Sequence, residues 1–396
     1  MRYHAFPRPA DWPQRMADLR FQYGKWDLDV AGRPTVAQGA LVLTRQEHDQ
    51  VVADAEALAA VTDKARNQLA KDPAGAQALG VDARLAAAIS GEPAGPLVTR
   101  IDFFQTRTGW QVSEFNDDCP GGYNEAIGLP ATLLDLAPAG LGLAGDLPDA
   151  LVRLAGDGPV GLAYATAYAE DLQVVELLAR LLATQGVRSV LASPAHLEVN
   201  GAQVRLAGQD VATVFRFFPA DWLTALPNWQ DWGRLGATEV PLRNPLACAV
   251  TQTKAIHAWL WEHAADSDRA LVERLLPRTR MLDEDSKADA LQRREDVVLK
   301  PTSGRMGEGV VMGRECPPEQ WRKRVDSAHR SRRSRPYVVQ DRFDSVPVET
   351  GPGQTAVACL GAYVVDGRFA GYYSRLSTTP VVAYDATNVL TLVEGL

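Results

Sequence analysis

The chain reads as an α+β / α/β protein built from more than one subdomain, and three features of the sequence point there. Its 396 residues exceed the roughly 250 to 300 that a single hydrophobic core usually organises. Apolar residues recur at helical spacing in some stretches and alternate with a period of two in others. Between these stretches lie Gly, Pro and Asp-Gly punctuation of the kind that marks turns. With 46% apolar and 23% charged residues, disordered and fibrous classes fall away and an ordinary globular protein remains.

The elements follow from these patterns. From Leu43 to Lys71 apolar residues repeat at helical spacing, and Thr44 stands ready as the N-cap of one long helix. Residues 97 to 116 alternate around a glycine-bearing break, the pattern of a β-hairpin. The segment DDCPGGYNEA predicts a tight turn and then a helix from near Tyr123. A stretch rich in Gly, Ala, Pro and Leu over residues 136 to 160 suggests a boundary. The run VGLAYAT, the helix from Glu170 to Gln185, VRSVLA, AQVRLAG and VATVFRFF then predict a small α/β unit. Beyond it lie the helix TQTKAIHAWLWEHA, the strand VVLKP, a glycine-rich turn, and a last hairpin joined by Asp366-Gly367. The expected division is residues 1–145, an inserted unit 146–235, and 236–396 with a flap over about 290–345.

A formal charge of -8 gives no bulk attraction to nucleic acid, and none is expected as a partner. The basic run from Arg322 to Arg335 lacks interleaved aromatics and reads as a solvated helix and loop. Cys119, Cys248, Cys316 and Cys359 form no CxxC pair, which argues against a thiolate metal site or a disulfide framework. No stretch of about 18 apolar residues appears, so no membrane partner and a cytoplasmic location are expected.

The hairpin carries the first chemistry. If Asp102 pairs with Glu114, then Arg100 faces Asn116, residues 104 and 112 pair, and the loop contracts to Arg107-Thr108-Gly109. Period-two alternation then puts Arg100, Asp102, Glu114 and Asn116 on one face. Two carboxylates and an amide oxygen converging on one spot suit Mg²⁺ bound with a nucleotide phosphate; a solvated polar face fits the same pattern. The second chemistry lies in VVLKPTSGRMGEGVVMG, where Lys300 ends a strand and Gly304, Arg305, Gly307 and Gly309 precede another. This is a flap, not a Walker A loop or a dinucleotide fingerprint, since neither Gly-Lys-Ser/Thr nor a following helix is present. Glycines let backbone amides approach phosphate oxygens, with Lys300 and Arg305 as neutralising charges. Lys254, on its helix, and Arg375, in YYSRLSTTP, are unremarkable alone.

Taken in order, RID, EFNDDCPGG, FRFFPADWL, NPLACAVTQTK, KPTSGRMGEGV, VVQDRF and GAYVVDGRFAGYYSRLSTTP resemble the glutathionylspermidine synthase-like ligases over roughly residues 97 to 385. That resemblance implies a circularly permuted ATP-grasp fold with a small inserted pre-ATP-grasp-like α/β domain. It implies ATP and Mg²⁺ as cofactors, with Asp102, Glu114 and Asn116 on the metal. Lys254, Lys300, Gly304, Arg305, Gly307 and Gly309 would hold phosphates, and Gln340 would lie near the adenine. Arg100 and Arg375 would stabilise the transferred phosphoryl group and the tetrahedral intermediate. Glu170 and Asp171 match an acidic pair near the family's amine substrate, and Cys119 replaces a small hydroxyl residue usual there.

The expected activity is ATP-dependent ligation of a small carboxylate to an amine through an acyl phosphate, with ADP and phosphate released. Such chemistry needs positioning and charge neutralisation rather than a nucleophile, and no Ser-His-Asp spacing is evident among the six histidines. A small-molecule kinase using the same site and a nucleotide-binding regulator without chemistry are the competing readings. The acid, the amine and the oligomeric state are not legible in the sequence.

Overall fold

The computed structural model of the chain describes residues 1–92, 95, 97–304 and 308–396. Strand β1 (Arg2–Ala5) pairs antiparallel with β2 (Val36–Leu43), which leads into the long helix α1 (Arg45–Ala70). Thr44 is extended and its hydroxyl accepts from the Glu47 amide at 3.2 Å, while the Glu47 carboxylate accepts from the Thr44 amide at 2.9 Å. This reciprocal capping satisfies donors that the first helical turn leaves open. Val51, Ala55, Leu58, Val61, Ala65 and Leu69 are buried along one stripe of the helix, as their spacing of three and four requires.

Strands β3 (Val98–Thr106) and β4 (Gly109–Asn116) form the expected hairpin, and α2 (Tyr123–Leu133) follows the DDCPGG turn. Arg100 faces Asn116 and Asp102 faces Glu114 as expected, but the register then slips so that Phe103 pairs with Val112 and Thr106 with Gly109. Ser113 is therefore the extra residue of a bulge, Phe104 pairs with Gln111 rather than residue 112, and the loop is Arg107-Thr108. A bulge inserts one residue while keeping the flanking ladder, so the register at the polar end is unaffected.

Helix α3 (Leu147–Ala155) leads to a parallel unit of β5 (Val160–Tyr164), α4 (Ala169–Thr184), β6 (Ser189–Ala192), β7 (Thr213–Phe217) and β8 (Leu242–Arg243). Its strand order is β8-β7-β5-β6, and every residue of β7 is buried, as in a sheet covered on both faces. The edge strand β8 lies beyond residue 235, so this sheet extends further along the chain than the small unit read from the sequence. After α5 (Cys248–Gln252) and α6 (Ala255–His263), strands β9 (Thr279–Met281), β10 (Val297–Pro301), β11 (Val311–Met312) and β12 (Tyr337–Asp341) build an antiparallel sheet in the order β9-β12-β10-β11.

The chain closes with β13 (Gln354–Val365), β14 (Arg368–Ser377) and β15 (Thr387–Glu394). Asp366 and Gly367 have φ of 49° and 74°, which is what a two-residue hairpin turn of matching twist demands. These strands complete the central sheet, whose main path runs β1-β2-β15-β14-β13-β3-β4. Its inner face carries Ile101, Phe103, Phe115, Leu360, Ala362 and Val364 into the core that α1 covers. The other face packs Val98, Tyr363 and Val365 into a second apolar cluster and, beside them, bears the polar residues of the site. Among the described residues no helix is long and apolar enough to cross a membrane. Thr44→Ala should lower the unfolding free energy by about 1 kcal/mol, read as a lower urea midpoint at unchanged slope.

Candidate active site

Alternation along paired strands determines which side chains share the polar face. Glu114 and Asn116 come from β4, Arg100 and Asp102 from β3, Cys359 and Gly361 from β13, and Tyr373 and Arg375 from β14. At the centre is Asp102, 1% exposed. Its Oδ1 accepts from Arg100 Nε at 2.8 Å, and its Oδ2 accepts from Arg100 Nη2 at 3.1 Å and from Arg375 Nη2 at 2.6 Å. Burial alone would raise the Asp102 pKa, but the two guanidinium groups outweigh it and hold the carboxyl below its usual range. Gly361 makes room for this arrangement, because a Cβ there would lie 2.9 Å from Arg100 Cδ and 3.1 Å from Asp102 Oδ1.

The Tyr373 ring lies 5.1 Å from the Arg100 guanidinium and 5.3 Å from that of Arg375, placing both cations against one π-face system. Arg100 Nη1 also donates to the Gly121 carbonyl at 2.7 Å, which the Tyr363 hydroxyl reaches at 2.6 Å. The next residue, Gly122, has φ of 97°, and a Cβ on it would sit 2.6 Å from the Tyr373 ring. Glycine is required there by conformation and by space. Cys359 lies 3.4 Å from Arg375 Nη2, and burial with Asp102 nearby pushes its thiol up to about 12, so it is a neutral packing group.

The flap approaches from the other side. Lys254 is not within a helix: the chain breaks between α5 and α6, and Lys254 is the residue capping α6. Its backbone amide donates to the Thr302 carbonyl at 2.9 Å, and its Nζ donates to the Gly304 carbonyl at 3.0 Å and lies 3.8 Å from Glu114 Oε2. The side chain is buried, not the surface lysine its sequence context suggests, because the helix break turns it into the space between hairpin and flap. Lys300, at the end region of β10, is buried too; burial and the neighbouring Lys254 push its pKa down to about 8, partly opposed by Glu114. Gly304 and Gly309 have φ of 155° and 72°, conformations that favour glycine. Arg305 and Gly307 lie outside the described residues.

Gln340 is buried on β12, where its Nε2 donates to Thr279 Oγ1 at 2.9 Å and lies 3.4 Å from His257 Nδ1. Glu170 and Asp171 open helix α4 in the parallel unit, Glu170 exposed and Asp171 half-buried. Cys119 sits 3.6 Å from Arg216 Nη1.

Sequence reasoning missed Arg216 and Asn244. Arg216, fully buried in β7, pairs with Asp118 at 2.7 Å and donates to the Asn244 carbonyl at 3.1 Å. Asn244 in turn donates to the carbonyls of Val98 at 2.6 Å and Asp117 at 2.5 Å, so it pins the parallel unit to the root of the hairpin. An arginine inside the apolar run VFRFF was the available signal, since a charge amid buried strand residues needs a partner.

Asp102, Glu114 and Asn116 offer hard oxygen donors on one face, and the Asn116 amide nitrogen points to the Arg100 carbonyl at 3.4 Å, leaving its oxygen as the acceptor end. Among the described residues no three His, Cys, Asp or Glu side chains gather as a metal site, so a cation here would need ligands from elsewhere. That sparse set fits Mg²⁺, which keeps waters and substrate phosphates in its shell. Four cations, Arg100, Arg375, Lys254 and Lys300, face two carboxylates, Asp102 and Glu114. The surplus positive charge in a buried setting is what a polyphosphate would neutralise.

Fold and site together define an α+β protein of the ATP-grasp-like class. Residues 3–394 match the profile of the family described as glutathionylspermidine synthase preATP-grasp, and the chain belongs to that family. Among solved structures it is similar to a glutathione synthetase-like effector from Globodera pallida, at 12% identity and a TM-score of 0.63 over 98% of this chain and 99% of that one. It also matches a putative gamma-glutamylcysteine synthetase from Methylobacillus flagellatus KT at 14% identity, a TM-score of 0.48 and coverage of 81% and 82%. D-alanyl-alanine synthetase A from Vibrio cholerae matches at 12% identity and a TM-score of 0.35, over 57% of this chain and 69% of that one. Curated protein sequences give no match.

Asp118→Ala leaves the Arg216 cation buried without its carboxylate, and should destabilise the protein by about 3–5 kcal/mol in a urea titration. His257 is 5.2 Å from the Phe115 ring, and burial with Lys300 and Lys254 nearby pushes its pKa down to about 3. The unfolded chain therefore binds the extra proton below the ordinary histidine value near 6.5. Stability from keeping His257 neutral is complete above that value and is lost as pH falls toward the folded one. The urea midpoint should fall less steeply between about pH 7 and pH 4 in His257→Leu than in the wild type.

Proposed function

We propose that the protein is an ATP- and Mg²⁺-dependent ligase that joins a small carboxylic acid to an amine, releasing ADP and phosphate. One observation carries this reading: Lys254 bridges the two halves of the site, reaching Glu114 of the hairpin at 3.8 Å and the Gly304 carbonyl of the flap at 3.0 Å. Carboxylates and cations from distant stretches thus face one space, as a metal-nucleotide complex requires.

In this reading Asp102, Glu114 and Asn116 hold Mg²⁺, which supplies neutralisation of phosphate charge when bound. Lys254, Lys300, Gly304, Arg305, Gly307 and Gly309 hold the phosphates, and Gln340 lies by the adenine. Arg100 and Arg375, set by Asp102 and Tyr373, face the transferred phosphoryl group and the oxyanion that forms when the amine attacks the acyl phosphate. A carboxylate needs this activation because oxide is a poor leaving group. Phosphate then leaves in its place. Cys119, Glu170 and Asp171 belong to the substrate side, and closure of the flap keeps water from the acyl phosphate.

The structure bears on how this should be tested. Asp102 is the counter-ion of two buried arginines, so its removal damages folding as well as chemistry. Glu114, half-buried, lies 3.8 Å from Lys254 and contacts Asp102, but it is not the counter-ion of a buried arginine and is the cleaner probe. Glu114→Gln should lower ADP release with an acid and amine present by about 100-fold or more at an unchanged melting temperature; near-normal turnover would sink the metal assignment. Lys300→Ala should weaken ATP binding by about tenfold or more in a calorimetric titration. Mass spectrometry of the products separates the ligase from a kinase, which would yield a phosphorylated compound with no need for amine.

A further inference from the structure

The end of β4 and the break before α6 are joined by a side chain that the proposed chemistry does not use. Gln252, the last residue of α5, is half-buried, and its Oε1 accepts from the backbone amides of both Asp117 and Asp118 at 3.0 Å each. Both partners are N–H donors, so the oxygen of the Gln252 amide must be the atom that faces them. Two successive backbone amides converging on one acceptor form a small concave nest, filled here by a neutral oxygen of the chain itself. Asp117 and Asp118 are buried, so an acceptor lost from this place is not simply replaced by water.

Each end of this link stands beside a residue of the site. The Asp117 amide belongs to the peptide that joins it to Asn116, so the bond from Gln252 grips the end of the hairpin strand itself. On the other side Thr253 turns extended, with φ of -67° and ψ of 142°, and Lys254 follows at once. The Lys254 amide donates to the Thr302 carbonyl at 2.9 Å, and its Nζ to the Gly304 carbonyl at 3.0 Å, so this short segment is fixed to the flap. Arg216 and Asn244 also hold the turn after the hairpin, but they tie it to the parallel unit. The two bonds from Gln252 tie it instead to the segment that carries Lys254.

We propose that Gln252 is a positioning residue that sets the spacing between Asn116 and Lys254, an inference that rests on the ligase reading, in which the first holds Mg²⁺ and the second a phosphate. A metal ion and a phosphate group that it neutralises strengthen each other's binding only when their holders stand at matching distance. Gln252 touches neither ligand. It acts through the two residues it spaces, and so couples the affinity for Mg²⁺ to the affinity for ATP.

The test measures ATP binding to the full-length protein by calorimetry, once in EDTA and once in excess Mg²⁺, and takes the ratio of the two dissociation constants. Comparing this ratio between variants cancels the affinity of Mg²⁺ for free ATP. Gln252→Met, close in volume but without the oxygen, should cut the strengthening by Mg²⁺ about tenfold, the scale on which outer-shell partners tune a metal site. Gln252→Glu keeps an acceptor at the same reach and should retain the wild-type ratio. A purely structural role would lower the melting temperature or weaken ATP binding in both media alike, and leave the ratio where it was. If Gln252→Met does not fold at the assay temperature, Gln252→Asn, one methylene shorter, takes its place with the same expected loss. An unchanged ratio in a folded Gln252→Met or Gln252→Asn protein overturns the proposal, as does an equal loss in Gln252→Glu. A wild-type protein whose ATP affinity ignores Mg²⁺ overturns the metal assignment of the ligase reading and this inference with it. A wild-type response that survives in Gln252→Met overturns the positioning role alone.

Discussion

The site depends on one buried carboxylate held between two guanidinium groups. Asp102 ties β3 to β14 across the intervening strand β13, and the tie is possible because Gly361 presents no side chain at the crossing. Two arginines this close would repel each other without the shared anion, and neither could stay buried. The interaction is also directional. Both oxygens of Asp102 are engaged, so the planes of the two guanidinium groups are set before any ligand arrives. Tyr373 and the Gly121 carbonyl complete the cradle.

The second constraint is the meeting of hairpin and flap. The hairpin belongs to the central sheet and the flap to the small antiparallel sheet, and Lys254 touches both. Its place at a break between two short helices lets the backbone bond to Thr302 while the side chain spans the gap. Arg216 and Asn244 do comparable work for the parallel unit, anchoring it to the turn that follows the hairpin.

What could be read in the sequence was local. Thr44 announces a helix start, Asp366-Gly367 announces a tight hairpin, and period-two alternation puts Arg100, Asp102, Glu114 and Asn116 on one face. The resemblance of ordered blocks then gathered lysines and glycines that no spacing rule connects. The rest was hidden because it depends on contacts far apart in the chain. The bulge at Ser113 has no glycine to mark it, the helix break before Lys254 has neither Gly nor Pro, and Asn244 looks like any loop asparagine until its carbonyl partners come from residues 98 and 117. Arg216 alone carried a visible warning, as a charge inside an apolar strand.

The wide sequence separation of Asp102 and Arg375 bears on synthesis. They are 273 residues apart, and at ribosomal rates of about 5–20 residues per second roughly 14 to 55 seconds pass between their appearances. During that interval the nascent carboxylate has only Arg100 from its own strand, and the strand meant to lie beside it has not been made. The hairpin must wait with an uncovered edge, so the emerging polypeptide is most exposed to mispairing just before β13 is translated.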